Sequence, residues 1–281
     1  MKKAAYFLLT LCLASCTEAA VETFRLPDTV FHVNLDGDDD AGTKVYLNKQ
    51  VKTRWNADDR LTVFNKFTYN QQYVFTGETG DCAGDVEPVN TGGFVTGNEI
   101  GYVYAVYPYL KTTKISNSEV LTVYFPAEQA YAKGTYGRDA NVMVSVTDDD
   151  NLLFKNAGGY LMLKLFGEGV EVSSVMLEGN GGEPLSGKSS IVMSKGGVPA
   201  VTMASTAGTS VTLACETPVA LGATAEEAVV FWLVVPPTDF KEGFRLTVSD
   251  AEGRTFVKET SKSFSIVRNG VLRISPVEVV F

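Results

Sequence analysis

Apolar and polar residues alternate one for one along this chain, in short runs closed by glycine, proline, asparagine or aspartate. VFHVNL (30–35), KVYLN (44–48), RLTVF (60–64), GYVYAVY (101–107), VLTVYF (120–125), YLMLKLF (160–166), VSSVMLE (172–178), SVTLA (210–214), FRLTVS (244–249), TFVKE (255–259), FSIV (264–267) and VLRI (271–274) all follow the rule. A period of two puts successive side chains on opposite faces of an extended backbone, so each run can bury one face. No stretch of helical period continues past two turns. Many short strands at close spacing predict sandwiches or barrels. The acidic stretch TDDDN (147–151) is turn-prone, and each side of it holds enough strands for a core. The expected architecture is all-β, with two tandem β-sandwich domains at residues 17–148 and 149–281. One large sandwich is the alternative.

The chain opens MKKAAYFLLTLCLASC. Lys2 and Lys3 precede a short apolar run, Ala4 to Leu13, and small residues follow. Such a run is too short for roughly 30 Å of hydrocarbon and reads as a secretory signal, residues 1–16. Leu13-Ala14-Ser15-Cys16 has the form of a lipobox, which predicts a lipid on Cys16 and anchoring to a membrane without a spanning helix. VVFWLVVPP (229–237) has the length of a buried strand. The net charge of −9 argues against nucleic acid as a partner. Beyond the signal, Cys82 and Cys215 lie far apart, without a partner at metal-ligand spacing. Two separate buried thiols are expected, with a disulfide as the alternative.

GEPLSGKS (182–189) matches the spacing of a phosphate-binding loop: Gly182, Gly187, Lys188 and Ser189 fill G-x-x-x-x-G-K-[ST]. That loop works only when a helix N-terminus follows. Here a β-branched stretch runs into Gly196, Gly197 and Pro199, so the segment is expected to form a hairpin and to bind no nucleotide. His32 is the single histidine, and no G-x-S-x-G elbow accompanies it. It is expected at a surface or rim. Asp36, Asp38, Asp39 and Asp40 begin like a calcium loop, but Ala41 and Leu47 stand where that loop needs glycine and glutamate. Tyr102, Tyr104, Tyr107 and Tyr109 are either a sugar-stacking platform or core residues with hydroxyls at the rim. The many carboxylates single out no glycosidase pair. No enzyme activity, cofactor or metal is expected.

Several segments, in order, resemble one family: the lipobox; TKV at 43–45; W-x-x-x-D-R-L-x-V-F at 55–64; YAVYPY at 104–109; LTVYFPAEQ at 121–129; LFKNAGGYLMLKL at 153–165; the GN…LSGK stretch at 179–188; and FWLVVPP…GFRLTVSDAEGRTF…SIVRNGVLRI at 231–274. The chain resembles the fimbrillins, lipoprotein precursors of type V pili in Gram-negative anaerobes, over nearly its whole length. The resemblance implies two transthyretin-like β-sandwich domains without catalysis, and export as a lipoprotein to the outer membrane and cell surface. It also implies assembly with other pilus subunits. In polymerising members a trypsin-like protease cuts after a basic residue near the mature N-terminus, and a neighbouring subunit's strand fills the groove left behind.

This sequence can host that step. Phe31, Val33 and Leu35 share one face of VFHVNL, and Lys44 follows before the next run. Cleavage at Lys44 would remove a core strand, and each buried hydrogen bond left unmade costs about 1–3 kcal/mol. Val277, Val279 and Phe281 of the tail PVEVVF alternate in the same way and could contribute roughly 1.5–3 kcal/mol each when buried. The expected donor is therefore the tail of one subunit, replacing residues 30–35 of another. Arg25 and Arg54 are other basic candidates for the cut; Arg25 precedes the strand, and Arg54 adjoins Trp55. Without cleavage the protein would be an uncleaved surface-anchored lipoprotein, acting as a pilus base or as a glycan-binding module recognising a surface glycan or protein, and the tail would complete its own domain.

Overall fold

The computed structural model describes residues 21–36 and 53–281. The regular elements of the described residues are strands, apart from one 3-10 turn at Ala225–Glu227. Among the described residues no helix is long and apolar enough to cross a membrane.

Seven strands close a barrel. Its order is Met143–Thr147, Asn151–Asn156, Phe31–Leu35, Ala83–Pro88, Gln71–Phe75, Arg60–Phe67 and Glu99–Tyr107, which pairs back with the first. Its interior holds Phe31, Val33, Trp55, Leu61, Tyr73, Phe75, Leu152 and Phe154 among others. Trp55 anchors this core: its ring stacks on Phe75 and meets Tyr107 and Phe154 edge-on. Such aromatic pairs contribute beyond the area they bury.

A four-stranded sheet covers one wall of the barrel, in the order Ala200–Met203, Gly187–Val192, Leu121–Phe125, Lys114–Ile115. Strands under this cover are buried on both faces. In Glu99–Tyr107, Val103, Ala105 and Tyr107 point into the barrel, while Tyr104 and Val106 pack under the covering sheet.

The rest of the chain makes a sandwich. One sheet runs Thr135–Tyr136, Glu128–Ala132, Ser210–Ala220, Glu171–Gly179, Phe244–Ser249, Thr255–Thr260. Facing it are Val229–Val235, Gly159–Phe166 and Val271–Arg273, with Val277–Glu278 also on Gly159–Phe166. Alternate residues from both sheets fill the space between: Leu161, Leu163, Leu165, Phe231 and Leu233 from one side, Val175, Leu177, Val211, Leu213 and Leu246 from the other. The all-β expectation holds.

The stretch 147–151 is a hairpin turn inside the barrel, not a linker. Met143–Thr147 pairs with Asn151–Asn156, and the Asp149 carboxylate accepts hydrogen bonds from the Thr147 hydroxyl and the Asn151 amide. The first core therefore runs past the expected 148/149 boundary as far as Phe154. Aspartates that looked like a solvated linker instead close a tight turn.

Candidate functional site

Phe31–Leu35 sits between two strands of the closed path. It runs parallel to Asn151–Asn156, in register His32–Asn151 to Leu35–Phe154, and antiparallel to Ala83–Pro88, in register Phe31–Val86 to Asn34–Ala83. Phe31, Val33 and Leu35 are 1%, 0% and 6% exposed, while His32 and Asn34 face out. The alternation of the sequence is thus the alternation of the barrel wall. Removing this strand would open the barrel between two ladders and uncover Trp55, Tyr73 and Phe154 of its core.

On the outer face the His32 ring and the Asp85 carboxylate form an exposed pair across the two strands. The hydrogen bond to Asp85, then its charge, then that of Asp150, raise the His32 pKa. His32 thus lies on a surface, as expected, and ties the strand to its antiparallel neighbour. Upstream, Glu22–Arg25 pairs with Phe94–Gly97, and Phe24 stacks on Phe67 at 3.8 Å. Arg25 lies in that outer strand, so a cut there would leave Phe31–Leu35 in place. Arg54 is half-buried outside any strand. Cys16, Lys44 and the aspartates at 38–40 lie outside the described residues.

The tail is docked on its own domain. Val277–Glu278 pairs in parallel with Leu165 and Phe166, and the Val279 amide donates to the Phe166 carbonyl at 2.8 Å. Val279 is 1% exposed; Val277 and Phe281 pack half-buried on the same core, with Arg254 over the Phe281 ring at 5.4 Å. In this state Val277, Val279 and Phe281 complete their own sheet, so any donation to another subunit requires the tail to leave it. Its pairing is short and on one edge: two residues in register and the Val279 amide.

GEPLSGKS is followed by strand. Gly187–Val192 pairs with Leu121–Phe125 on one side and Ala200–Met203 on the other, so the amides a phosphate would need are spent in ladders. The expected hairpin is corrected too. Glu171–Gly179 and Gly187–Val192 belong to different sheets, and the loop crosses between them with Leu185 buried as its anchor. The four tyrosines do not share a platform: Tyr104 and Tyr107 are buried, Tyr102 is exposed and Tyr109 half-buried. Cys82 and Cys215 are both free, and Cys82 is exposed rather than buried. Burial pushes the Cys215 thiol up to about 11. Among the described residues no group of three or more histidine, cysteine or acidic side chains could hold a metal ion.

Two buried polar clusters were not visible in the sequence. Asp59 is buried and accepts from the Asn56 amide at 2.9 Å, Arg138 at 2.9 Å and the Tyr107 hydroxyl at 3.3 Å; burial raises its pKa. It pins the loop entering the barrel at Trp55 to the loop at Arg138. Gln129 reaches across sheets and exchanges two hydrogen bonds with Val234, its amide donating to the carbonyl and its oxygen accepting from the N–H. It stands in for a missing strand partner. A single polar residue inside an apolar stretch carries no hint of the strand it will meet.

No protein-family profile matches the chain, and no curated protein matches it in sequence. Solved structures do. A candidate cell adhesion protein from Bacteroides ovatus shares 16% identity over 85% of this chain and 89% of that one, with a TM-score of 0.45. A second, from Bacteroides uniformis, shares 14% over 89% and 93%, also at 0.45. A tip fimbrial protein from Porphyromonas gingivalis shares 7% over 87% and 94%, at 0.25.

Proposed function

We propose that this chain is an adhesion or fimbrial subunit of the cell surface, exported as a lipoprotein through Cys16 and assembled by strand exchange. In this reading, cleavage at Lys44 frees the segment carrying Phe31, Val33 and Leu35. The barrel then opens between Ala83–Pro88 and Asn151–Asn156, and the tail of another copy enters with Val277, Val279 and Phe281 facing inward. The observation that carries the reading is the position of Phe31–Leu35. It is a buried barrel strand flanked by two ladders, and it precedes a basic residue in sequence.

Magnitudes favour the exchange once the slot is empty. Leaving its own sheet costs the tail one edge of pairing, the burial of Val279, about 1.5–3 kcal/mol for that side chain, and the half-burial of Val277 and Phe281. Entering the slot gains pairing on both edges and three inward positions. While Phe31–Leu35 is in place the slot is closed, so the precursor stays monomeric. The two-unit division is proposed to fall near Ala157, after the last barrel strand, in place of residue 148. Export and assembly require no cofactor.

Size-exclusion chromatography before and after trypsin-like digestion tests this reading. Oligomers that appear only after cleavage, and fail to appear in Lys44→Ala, support it. A monomer under both conditions contradicts it.

A further inference from the structure

The strands on either side of the slot run in opposite directions. Asn151–Asn156 is parallel to Phe31–Leu35, and Ala83–Pro88 is antiparallel to it. Any strand placed between them has one parallel and one antiparallel neighbour, whichever way it points. Backbone pairing therefore leaves the direction of an incoming tail undecided, and side chains must decide it.

Inside the barrel the three seats differ. Phe31 is 1% exposed and meets the Tyr73 ring edge-on at 5.5 Å. Val33 is fully buried at the centre, and Leu35 lies at the other end, 6% exposed. The order along the slot is thus large, small, intermediate. The tail carries Val277, Val279 and Phe281. Entering in the direction of the strand it replaces, it would set a valine against Tyr73 and a phenyl ring where leucine stood. That leaves one void and one overfilled seat. Turned round, the tail brings phenylalanine to the phenylalanine seat and valine to the valine seat, and only the Leu35 seat receives a side chain one carbon smaller.

The outer face agrees. His32 lies directly opposite Asp85 and pairs with it, and the charge of Asp150 also acts on its ring. Asn34 lies opposite Ala83 on one side and Leu153 on the other. In the direction of the lost strand, Glu278 would take the place of His32 and face the Asp85 carboxylate. Like charges directly opposite across a ladder are destabilising. Turned round, Val280 takes the place of His32, and Glu278 takes that of Asn34, opposite two neutral side chains.

We infer that the tail of a second copy enters the slot reversed, antiparallel to Asn151–Asn156, with Phe281 in the place of Phe31, Val279 in that of Val33 and Val277 in that of Leu35. The inference rests on the strand exchange proposed above and adds the direction of exchange and the seat of each residue. Phe281, packed on Tyr73, is then the side chain by which the slot selects its donor.

The test is disulfide trapping in the full chain, with its two free thiols removed by Cys82→Ser and Cys215→Ala, after trypsin-like cleavage and oxidation. Neighbouring strands lie about 4.7–4.9 Å apart, within reach of a disulfide. Val280→Cys mixed with Asp85→Cys should give a covalent dimer after cleavage and none before it. Glu278→Cys mixed with Asp85→Cys should give none. At the second outward seat the preference inverts: Ala83→Cys should trap Glu278→Cys and not Val280→Cys. Phe281→Val in the same background should raise the concentration needed for assembly about tenfold or more. The inference is overturned if Asp85→Cys traps Glu278→Cys, if both tail cysteines or neither are trapped at these seats, or if Phe281→Val assembles like its parent. Absence of any oligomer from the cleaved parent would instead refute strand exchange itself, and the inference with it.

Discussion

His32 is a single residue whose protonation reports on the barrel wall. Its pKa is raised in the fold by the Asp85 hydrogen bond and by the charges of Asp85 and Asp150. A raised folded pKa means the pair's contribution is fully present below the unfolded value of 6.5 and fades as pH rises through the folded value. Stability of the Phe31–Leu35 strand should therefore fall as pH rises from 6.5 through the raised folded value. Thermal melts of the chain against pH should show this slope, and Asp85→Asn should flatten it. Asp59 makes a different demand. Asp59→Ala leaves the Asn56 amide and Arg138 without their shared acceptor, while the Tyr107 hydroxyl keeps Asp139 at 3.1 Å, at a cost of about 1–3 kcal/mol in chemical denaturation. At this scale the sequence was informative where alternation decides the face, as at Phe31, Val33 and Leu35. It was silent where partners converge from distant strands. Asp59 and Arg138, or Asn70 and the Thr113 carbonyl, meet only because the barrel brings their loops together.

Among the elements, the strongly alternating strands were legible because one face is core and the other solvent. Glu99–Tyr107 misleads for a physical reason: the covering sheet buries its second face, so tyrosines that suggest an exposed platform are packed on both sides. Gln71–Phe75, Ala83–Pro88 and Phe94–Gly97 carry little pattern of their own and are held by their neighbours' ladders. Turn composition also hid connectivity, since an acidic hairpin and an acidic linker look alike at 147–151. Two element-scale predictions follow from burial. Val33→Ala should cost about 1–3 kcal/mol and loosen the slot without disturbing the tail, read as faster amide exchange in Ala83–Pro88 and Asn151–Asn156. Deleting residues 277–281 removes buried Val279 and half-buried Phe281, so the melting temperature should drop by the equivalent of roughly 2–4 kcal/mol. That is less than the ~5–15 kcal/mol typical of a domain. The shortened chain should still fold yet fail to extend a polymer after cleavage, and normal polymer from it would remove the tail from the account.

For the whole molecule, one closed barrel and one sandwich meet where Tyr160, Trp232 and Val234, with Tyr136, pack around Ala140 in the loop that leads into Met143–Thr147. Within the barrel only Phe31–Leu35 precedes the segment containing Lys44, so a single cut there would divide the chain between that strand and the six others. On the proposed reading, protection of the core by the strand and assembly through the empty slot are two sides of the same geometry. Amide hydrogen exchange across Ala83–Pro88 and Asn151–Asn156 tests this most directly, on the precursor, on freshly cleaved monomer and on polymer. Both strands should be protected in the precursor, exchange rapidly after the cut, and regain protection in the polymer. Protection that persists through cleavage and loss of residues 31–35 would show that the slot never opens, and would contradict the account.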